Sequence, residues 1–112
     1  MLMKGVTLRG LEVFEALAES GSVAKAAEVT GLSQPAVSQQ MRNLESALGV
    51  DLVDHGRRPM RVTPAGRSFL LRTQAVLRQL RLAQNELTGM ALSHLSTLSL
   101  GVIDDFDNDL TP

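Results

Sequence analysis

The stretch SQPAVSQQMRNLE, residues 33–45, decides how the rest of this sequence is interpreted. Ser33 is a predicted N-cap, and Pro35 falls in the first helical turn, where the N–H that proline lacks would have no partner anyway. Four apolar residues follow at helical spacing and define a buried stripe: Val37, Met41, Leu44 and Leu48. The stretch therefore predicts an amphipathic helix that Gly49 ends.

The opposite side of this helix carries hydrogen-bonding side chains. At about 100° per residue, Gln39 and Arg42 point away from the stripe. The DNA major groove is about 12 Å wide and accepts a helix whose outer face carries hydrogen-bonding side chains. In that groove we expect Gln39 to pair with adenine and Arg42 to bind guanine or a phosphate. An ordinary exposed face explains any one of these residues, but the set favours base reading. The predicted groove contacts are Gln34, Pro35, Ser38, Gln39 and Arg42.

Two shorter helices are predicted before this stretch. Gly21 ends the first, Ser22 caps the second, and Gly31 stops the second, because glycine adopts the left-handed conformation at low cost. The small Ala26 and Ala27 allow the second and third helices to cross closely. This arrangement is a helix-turn-helix.

The segment DLVDHGRRPMRVT, residues 51–63, predicts two short strands around a turn at 56–59. Such a hairpin is unstable alone but can lie beside a helix-turn-helix as a wing. Contacts with the phosphate backbone or minor groove are predicted here and at the helix start, with solvated turn residues as the alternative. These candidates are Ser33, His55, Arg57, Arg58 and Arg61.

A long helix is predicted from Pro64 to about residue 92, and the chain has too little other material to cover it. Its apolar residues repeat in steps of four and three, which is typical of a coiled-coil seam. The predicted fold is therefore mainly α, a winged helix-turn-helix (1–63) followed by a dimerisation helix (64–92). The predicted dimerisation residues are Phe69, Val76, Leu80, Ala83, Leu87 and Met90.

Composition and charge exclude several classes of protein. The chain has 112 residues and no cysteine, so disulfides and thiolate metal sites are excluded. It has no apolar run near the roughly 20 residues of a membrane span, and no signal peptide, so we expect a cytoplasmic protein. Eight arginines lie between Arg42 and Arg81 against three acids. This basic stretch suits a polyanion, although it decides nothing alone.

Catalysis is not predicted. His55 and His94 lie in unrelated settings, and no HExxH motif, GxSxG motif or glycine-rich phosphate loop is present. The aspartates in residues 104–109 lack the spacing of a calcium loop. We therefore expect no catalytic residue, no metal site and no cofactor.

Three segments carry a resemblance to a known family: LRGLEVFEALAESGS, AKAAEVTGLSQPAVSQQMRNLESALGVDL and RVTPAG. The sequence resembles LysR-type transcriptional regulators, a bacterial family, over residues 7 to about 92. The resemblance implies a third helix that reads double-stranded DNA, a wing on the backbone and a homodimer, with a tetramer left open for a full-length form. It also implies a small-molecule effector bound only by a further C-terminal domain, no membrane, and a place in the cytoplasm at the nucleoid.

The final segment, 93–112, is interpreted as the start of that missing effector-binding domain or as a disordered tail. Leu98, Leu100 and Val102 are expected to begin its first strand. Where the family usually has Phe, Arg and Thr, this chain has Val53, His55 and Ala24. These departures predict weaker backbone anchoring without a change of class.

Two functional hypotheses remain. The first is a sequence-specific DNA-binding dimer that regulates transcription. The second is a winged-helix module for protein contacts and dimerisation that binds no specific DNA. Gln39 and Arg42 lie outside the core stripe, next to an arginine-tipped wing, which favours the first hypothesis.

Overall fold

The computed structural model describes the backbone of residues 3–100 and the side chains of residues 3–90. The described residues fall into two compact units, which divide between Leu77 and Arg78. The described elements, in chain order, are α1 (Leu8–Ser20), α2 (Val23–Thr30), α3 (Gln34–Leu48), β1 (Val53–Asp54), β2 (Arg61–Val62) and α4 (Pro64–Leu100). The fold is mainly helical, with a two-stranded wing and a long last helix, as the sequence predicts.

Local capping chemistry sets the ends of the first three helices. Each begins at a hydroxyl that accepts a backbone N–H from the first turn; the Ser33 Oγ, for example, accepts from Ala36 N at 3.2 Å. Each ends at a glycine with φ between 71° and 75°, where an L side chain would be strained. The caps are Thr7, Ser22 and Ser33, and the terminal glycines are Gly21, Gly31 and Gly49.

The core of the first unit is aliphatic around one buried phenylalanine, Phe14. Helices α1, α2 and α3 pack on one another, and β1 adds Val53, which is only 1% exposed. The smaller valine thus still fills its core position in the wing. The largest fully buried side chains are Phe14, Leu17, Met41, Leu44, Leu52, Val13, Val37, Val53 and Thr73.

The wing is short and is held against the start of α4. Its strands pair antiparallel, with Val53 opposite Val62. The Leu52 carbonyl accepts the Thr63 N–H at 3.0 Å, and Gly66 of α4 lies so close that an added Cβ would overlap this carbonyl oxygen. Glycine at position 66 therefore allows the helix to lie directly on the wing.

Helix α4 is longer than predicted. Thr63 caps it by accepting the Gly66 N–H at 2.9 Å, and the helix continues beyond residue 92 to Leu100. It includes Leu98 and Leu100, which were predicted to lie in a strand, so that prediction is wrong at these two residues. Val102, the third residue of the predicted strand, lies outside the described residues. Residues 93–100 contain neither glycine nor proline, so nothing local stops the helix.

The first turns of α4 bury one face in the first unit. Thr73 and Leu77 are each 2% exposed, and the Phe69 ring lies 5.8 Å from the Phe14 ring, centroid to centroid. These positions follow steps of four residues, which suits packing on the unit's own core. The regular seam predicted from Phe69 onward therefore does not describe this part of the helix.

Candidate nucleic-acid interface

The outer face of α3 is exposed where the sequence predicts groove contacts. Gln34, Pro35, Gln39 and Arg42 are exposed, and Ser38 is half-buried at the edge of the face. The opposite side of the helix is held in the core by its buried apolar residues. Because that stripe fixes the rotation of the helix, the polar residues are held facing outward.

Three side chains on this face are joined by hydrogen bonds. The Arg42 Nη2 donates to the Gln39 Oε1 at 3.0 Å. The Gln39 Nε2 in turn donates to the Asn43 Oδ1 at 2.9 Å. The spacings of three and four residues are those at which side chains on a helix meet.

The beginning of α3 and the wing together form a shallow groove. Gln34, Pro35 and Ser38 of the helix line it together with Arg58 of the wing and Val23 of α2. Residues that the sequence assigned separately to base contacts and to backbone contacts thus share one surface. An arginine beside such a groove places positive charge where a phosphate would lie.

A second hollow, of about 370 Å³, lies further along the same side of α3. Ser38 lines it as well as the first groove, so the two adjoin. Arg42 and His55 line this hollow together with apolar residues that include Met41 and Met60. The surface between α3 and the wing therefore combines hydrogen-bonding groups with basic ones. We call it the groove surface, defined by Gln34, Pro35, Ser38, Arg42, His55 and Arg58.

Glu45 is a buried carboxylate on α3, only 8% exposed. Its Oε2 accepts two backbone N–H groups of the wing, from Leu52 at 2.7 Å and from Val53 at 3.2 Å. Its Oε1 lies 2.8 Å from the His55 Nε2. A carboxylate has enough lone pairs for all three partners. Glu45 thus attaches the wing to α3.

His55 lies at the point where the wing meets α3. Its side chain is 48% exposed while its Nε2 contacts the Glu45 carboxylate. The sequence predicted a backbone contact at this position but did not anticipate a carboxylate partner. The partner matters because the Glu45 carboxylate already occupies the His55 Nε2, so that this atom is not free to contact a phosphate.

The tip of the wing presents exposed arginines. The Arg57 Nε lies 3.2 Å from the Asp54 Oδ2, and both side chains are largely exposed. Arg58 and Arg61 are exposed as well. Since solvent-exposed ion pairs are weak and are screened by salt, Arg57 remains able to exchange Asp54 for a phosphate.

Ser33 has two uses for its hydroxyl. The oxygen accepts the Ala36 N–H as the cap of α3. The hydroxyl proton is a donor that the cap leaves unused, because a hydroxyl both donates and accepts. The side chain is exposed at the start of the helix, where backbone N–H groups also attract anions.

Two residues of this region were missed by the sequence analysis. Asn43 could have been found, because it lies four residues after Gln39 and therefore on a neighbouring part of the same face. Glu45 gave no local signal, since its partners lie seven, eight and ten residues further along the chain. A charged residue beside an apolar stripe is ordinarily expected in water.

The described part of the chain contains neither a cluster of metal-ligating side chains nor a helix suited to span a membrane. Within the residues whose side chains are described, no three His, Cys, Asp or Glu side chains gather in an arrangement that would hold a metal ion. None of the helices between residues 3 and 100 has the length and apolar character of a membrane span.

The architecture defines a winged helix-turn-helix, and comparisons with known proteins specify its family. The sequence model "Bacterial regulatory helix-turn-helix protein, lysR family" matches residues 8–67. The HTH-type transcriptional regulator TdcA of Escherichia coli (strain K12) is 36% identical over 91 residues, which are 81% of this chain and 29% of TdcA. The chain thus spans under a third of the length of that relative.

Solved structures agree with this result. The crystal structure of the BenM_DBD/catB site 1 DNA complex has a TM-score of 0.72 and 34% identity, covering 80% of this chain and 96% of that one. The CbnR_DBD–DNA complex has a TM-score of 0.68 and 34% identity, covering 77% of this chain and 99% of that one. The chain belongs to the LysR family of bacterial helix-turn-helix transcriptional regulators, which are not enzymes.

Proposed function

We propose that this chain is the DNA-binding part of a LysR-type regulator and binds specific double-stranded DNA as a homodimer. Helix α3 enters the major groove, and the wing (51–63) lies on the backbone or in the minor groove. The observation that carries this proposal is the groove surface, where α3 and the wing present base-reading and basic groups on one side. The DNA present in the BenM_DBD and CbnR_DBD structures supports it.

Base reading is assigned to the outer face of α3. Gln39 offers both a donor and an acceptor to an adenine edge, and Arg42 offers two donors to guanine or to a phosphate. Gln34, Pro35 and Ser38 lie along the first groove, where sugars, thymine methyl groups and base edges pass. Specificity is therefore expected to depend mainly on Gln39 and Arg42.

Backbone contacts are assigned to the wing and to the start of α3. Phosphate contacts position a protein on DNA and contribute affinity for any sequence. In this role Arg58, which lines the same groove as Gln34, is expected to contribute more than His55, whose imidazole contacts Glu45. The proposed set is Ser33, His55, Arg57, Arg58 and Arg61.

Dimerisation is assigned to α4. Several apolar side chains of this helix are exposed, among them Val76 at 46%, Leu87 at 65% and Met90 at 41%. A second copy of the helix would remove this apolar surface from water, which stabilises association. Phe69 is partly buried against its own core, so it contributes only its remaining surface. The other proposed seam residues are Leu80 and Ala83.

DNA selection tests the first part of the proposal. The purified chain is incubated with a random-sequence pool, and the bound DNA is sequenced and used as the specific probe. We expect a recovered consensus and specific binding at least 10³-fold tighter than binding to random DNA. Arg58→Ala should weaken binding to the selected DNA and to random DNA alike. It should also reduce the slope of log affinity against log salt concentration by about one unit. If no consensus emerges and the dimer forms normally, the chain is instead an interaction module.

Light scattering tests the second part. Leu80→Asp with Leu87→Asp places charges in the proposed seam, where an unpaired buried charge costs several kcal/mol. We expect the wild-type chain to be a dimer at tens of micromolar and the double variant to be a monomer. Glu86→Gln, on the same helix but outside the seam, is the control. A monomeric wild-type chain contradicts the assignment.

A protein of this kind acts on DNA in the bacterial cytoplasm, and we propose that location.

A further inference from the structure

The exposed face of α3 contains a residue to which neither the sequence nor the proposed function assigns a role. Asn43 is exposed, and its Oδ1 accepts a hydrogen bond from the Gln39 Nε2 at 2.9 Å. On the other side, the Gln39 Oε1 accepts from the Arg42 Nη2 at 3.0 Å. Gln39 is thus held between two neighbours of different chemistry.

The two bonds are made to opposite ends of the Gln39 amide. Its oxygen and nitrogen ends have almost the same shape but opposite hydrogen-bonding character. The guanidinium of Arg42 has only donors, so it requires the carbonyl end of Gln39, and the NH₂ end then faces the Asn43 Oδ1. A flipped Gln39 amide would place two donors together at Arg42 and would require Asn43 to turn its own amide. Arg42 therefore selects one flip state, and Asn43 holds the NH₂ end of that state.

The held amide keeps the groups that base reading needs. An amide carbonyl has two lone pairs, and an NH₂ group has two protons. Arg42 uses one lone pair and Asn43 uses one proton, so one acceptor and one donor remain. These are the two groups that a glutamine presents to the N6–H and N7 of adenine.

We propose that Asn43 is a positioning residue that holds the Gln39 amide in its base-reading orientation. This inference rests on the proposed function. Asn43 has a role that Arg42 cannot fill alone, because Arg42 contacts only the carbonyl end of the Gln39 amide and Asn43 contacts its NH₂ end. Holding a side chain before binding reduces the entropy that is lost on binding.

Two substitutions of Asn43 test the proposal, because they should affect binding to the selected site and to random DNA differently. Asn43→Ala removes the acceptor, and we expect a loss of roughly three- to tenfold in affinity for the selected site, with binding to random DNA unchanged. Asn43→Asp keeps an acceptor for the Gln39 Nε2 but adds negative charge. It should weaken binding to both DNAs and leave their ratio near that of the wild type. Asn85→Ala, the same change at an exposed position of α4, is the matched control.

A double-mutant cycle separates positioning from a general structural effect. If Asn43 acts through Gln39, Asn43→Ala should change the ratio of specific to random affinity in the wild type but not in a Gln39→Ala background. Circular dichroism checks the fold of each variant. Because alanine favours a helix more than asparagine does, Asn43→Ala should leave α3 folded. An equal loss in both backgrounds overturns the proposal.

The outcomes also distinguish this inference from the proposed function. If the wild-type chain does not discriminate between selected and random DNA, the proposed function fails and this inference fails with it. If the wild type discriminates and Asn43→Ala discriminates equally well, this inference alone is overturned.

Discussion

Helix α3 carries two hydrogen-bonded clusters that differ in almost every physical respect. The outer cluster, Gln39, Arg42 and Asn43, is exposed and lies within one helix. The inner cluster is formed by Glu45 with the wing, and its hydrogen bonds to Leu52 and Val53 are buried. The outer cluster can exchange its bonds for bonds with DNA or water at low cost, whereas the inner cluster cannot.

This difference predicts a division of labour along a single helix. Exposed hydrogen bonds contribute little to folding, because water replaces them when they are broken. A buried group that loses its partner has no such replacement, and the folded state loses the full cost of desolvating it. Variants of the outer cluster should therefore change DNA binding at nearly constant stability. Variants of the inner cluster should mainly change stability.

Glu45→Ala is expected to have the largest effect. It leaves two buried wing N–H groups without a partner, each worth about 1–3 kcal/mol, so the free energy of unfolding should fall by roughly 2–6 kcal/mol. Urea denaturation followed by circular dichroism measures this change. Glu28→Ala, at an exposed position of α2, is the control and should change stability by less than about 0.5 kcal/mol. If Glu45→Ala lowers the free energy of unfolding no more than Glu28→Ala does, the inner cluster contributes no more to stability than an exposed position.

Gly66→Ala tests the inner cluster from its other side. The new methyl group would meet the Leu52 carbonyl, displacing the residue whose N–H donates to Glu45. Overpacking of this kind costs about 1–3 kcal/mol, although alanine in a helix is otherwise favoured over glycine by up to about 1 kcal/mol.

Gly89 offers a matched control for this substitution, because an added Cβ there meets nothing within 4 Å. Gly89→Ala should leave stability unchanged or raise it, as measured by thermal melting. A Gly66→Ala variant that is as stable as the wild type would show that the wing can move away from α4 freely.

The sequence predicts the outward placement of Gln39 and Arg42 but neither Asn43 nor the inner cluster, and the reason for the inner cluster is physical. Caps such as Ser33 and the outward placement of Gln39 depend on neighbours within a few residues. The role of Glu45 depends on the path of the chain after Gly49, which brings the wing N–H groups back to α3. The same limit applies to α4. The spacing of its apolar residues, which predicts a coiled-coil seam, gives no sign that Leu77 packs into the core.

Gln39→Ala and Arg42→Ala test the outer cluster. Each lost bidentate base contact should reduce discrimination between the selected site and random DNA by roughly 1–3 kcal/mol. Stability should change by less than about 0.5 kcal/mol, because both positions are exposed. Fluorescence anisotropy at fixed salt measures the first quantity, and urea denaturation measures the second. Equal losses on both DNAs would show that the reading face is assigned wrongly.

His55→Ala is expected to have the smallest effect, although His55 touches the inner cluster. The imidazole is about half exposed, and water can take its place at the Glu45 Oε1, whereas the two backbone N–H groups on Oε2 stay in place. An ion pair or hydrogen bond of this exposure contributes less than about 1 kcal/mol to stability. Its contribution to DNA affinity should be smaller than that of Arg58, because the His55 Nε2 already contacts the Glu45 carboxylate. Urea denaturation and anisotropy on the same variant measure both quantities, with Arg58→Ala as the comparison. If His55→Ala destabilises the protein as much as Glu45→Ala, the imidazole rather than the backbone of β1 holds the carboxylate. In that case the wing is attached to α3 through a side chain that DNA can reach.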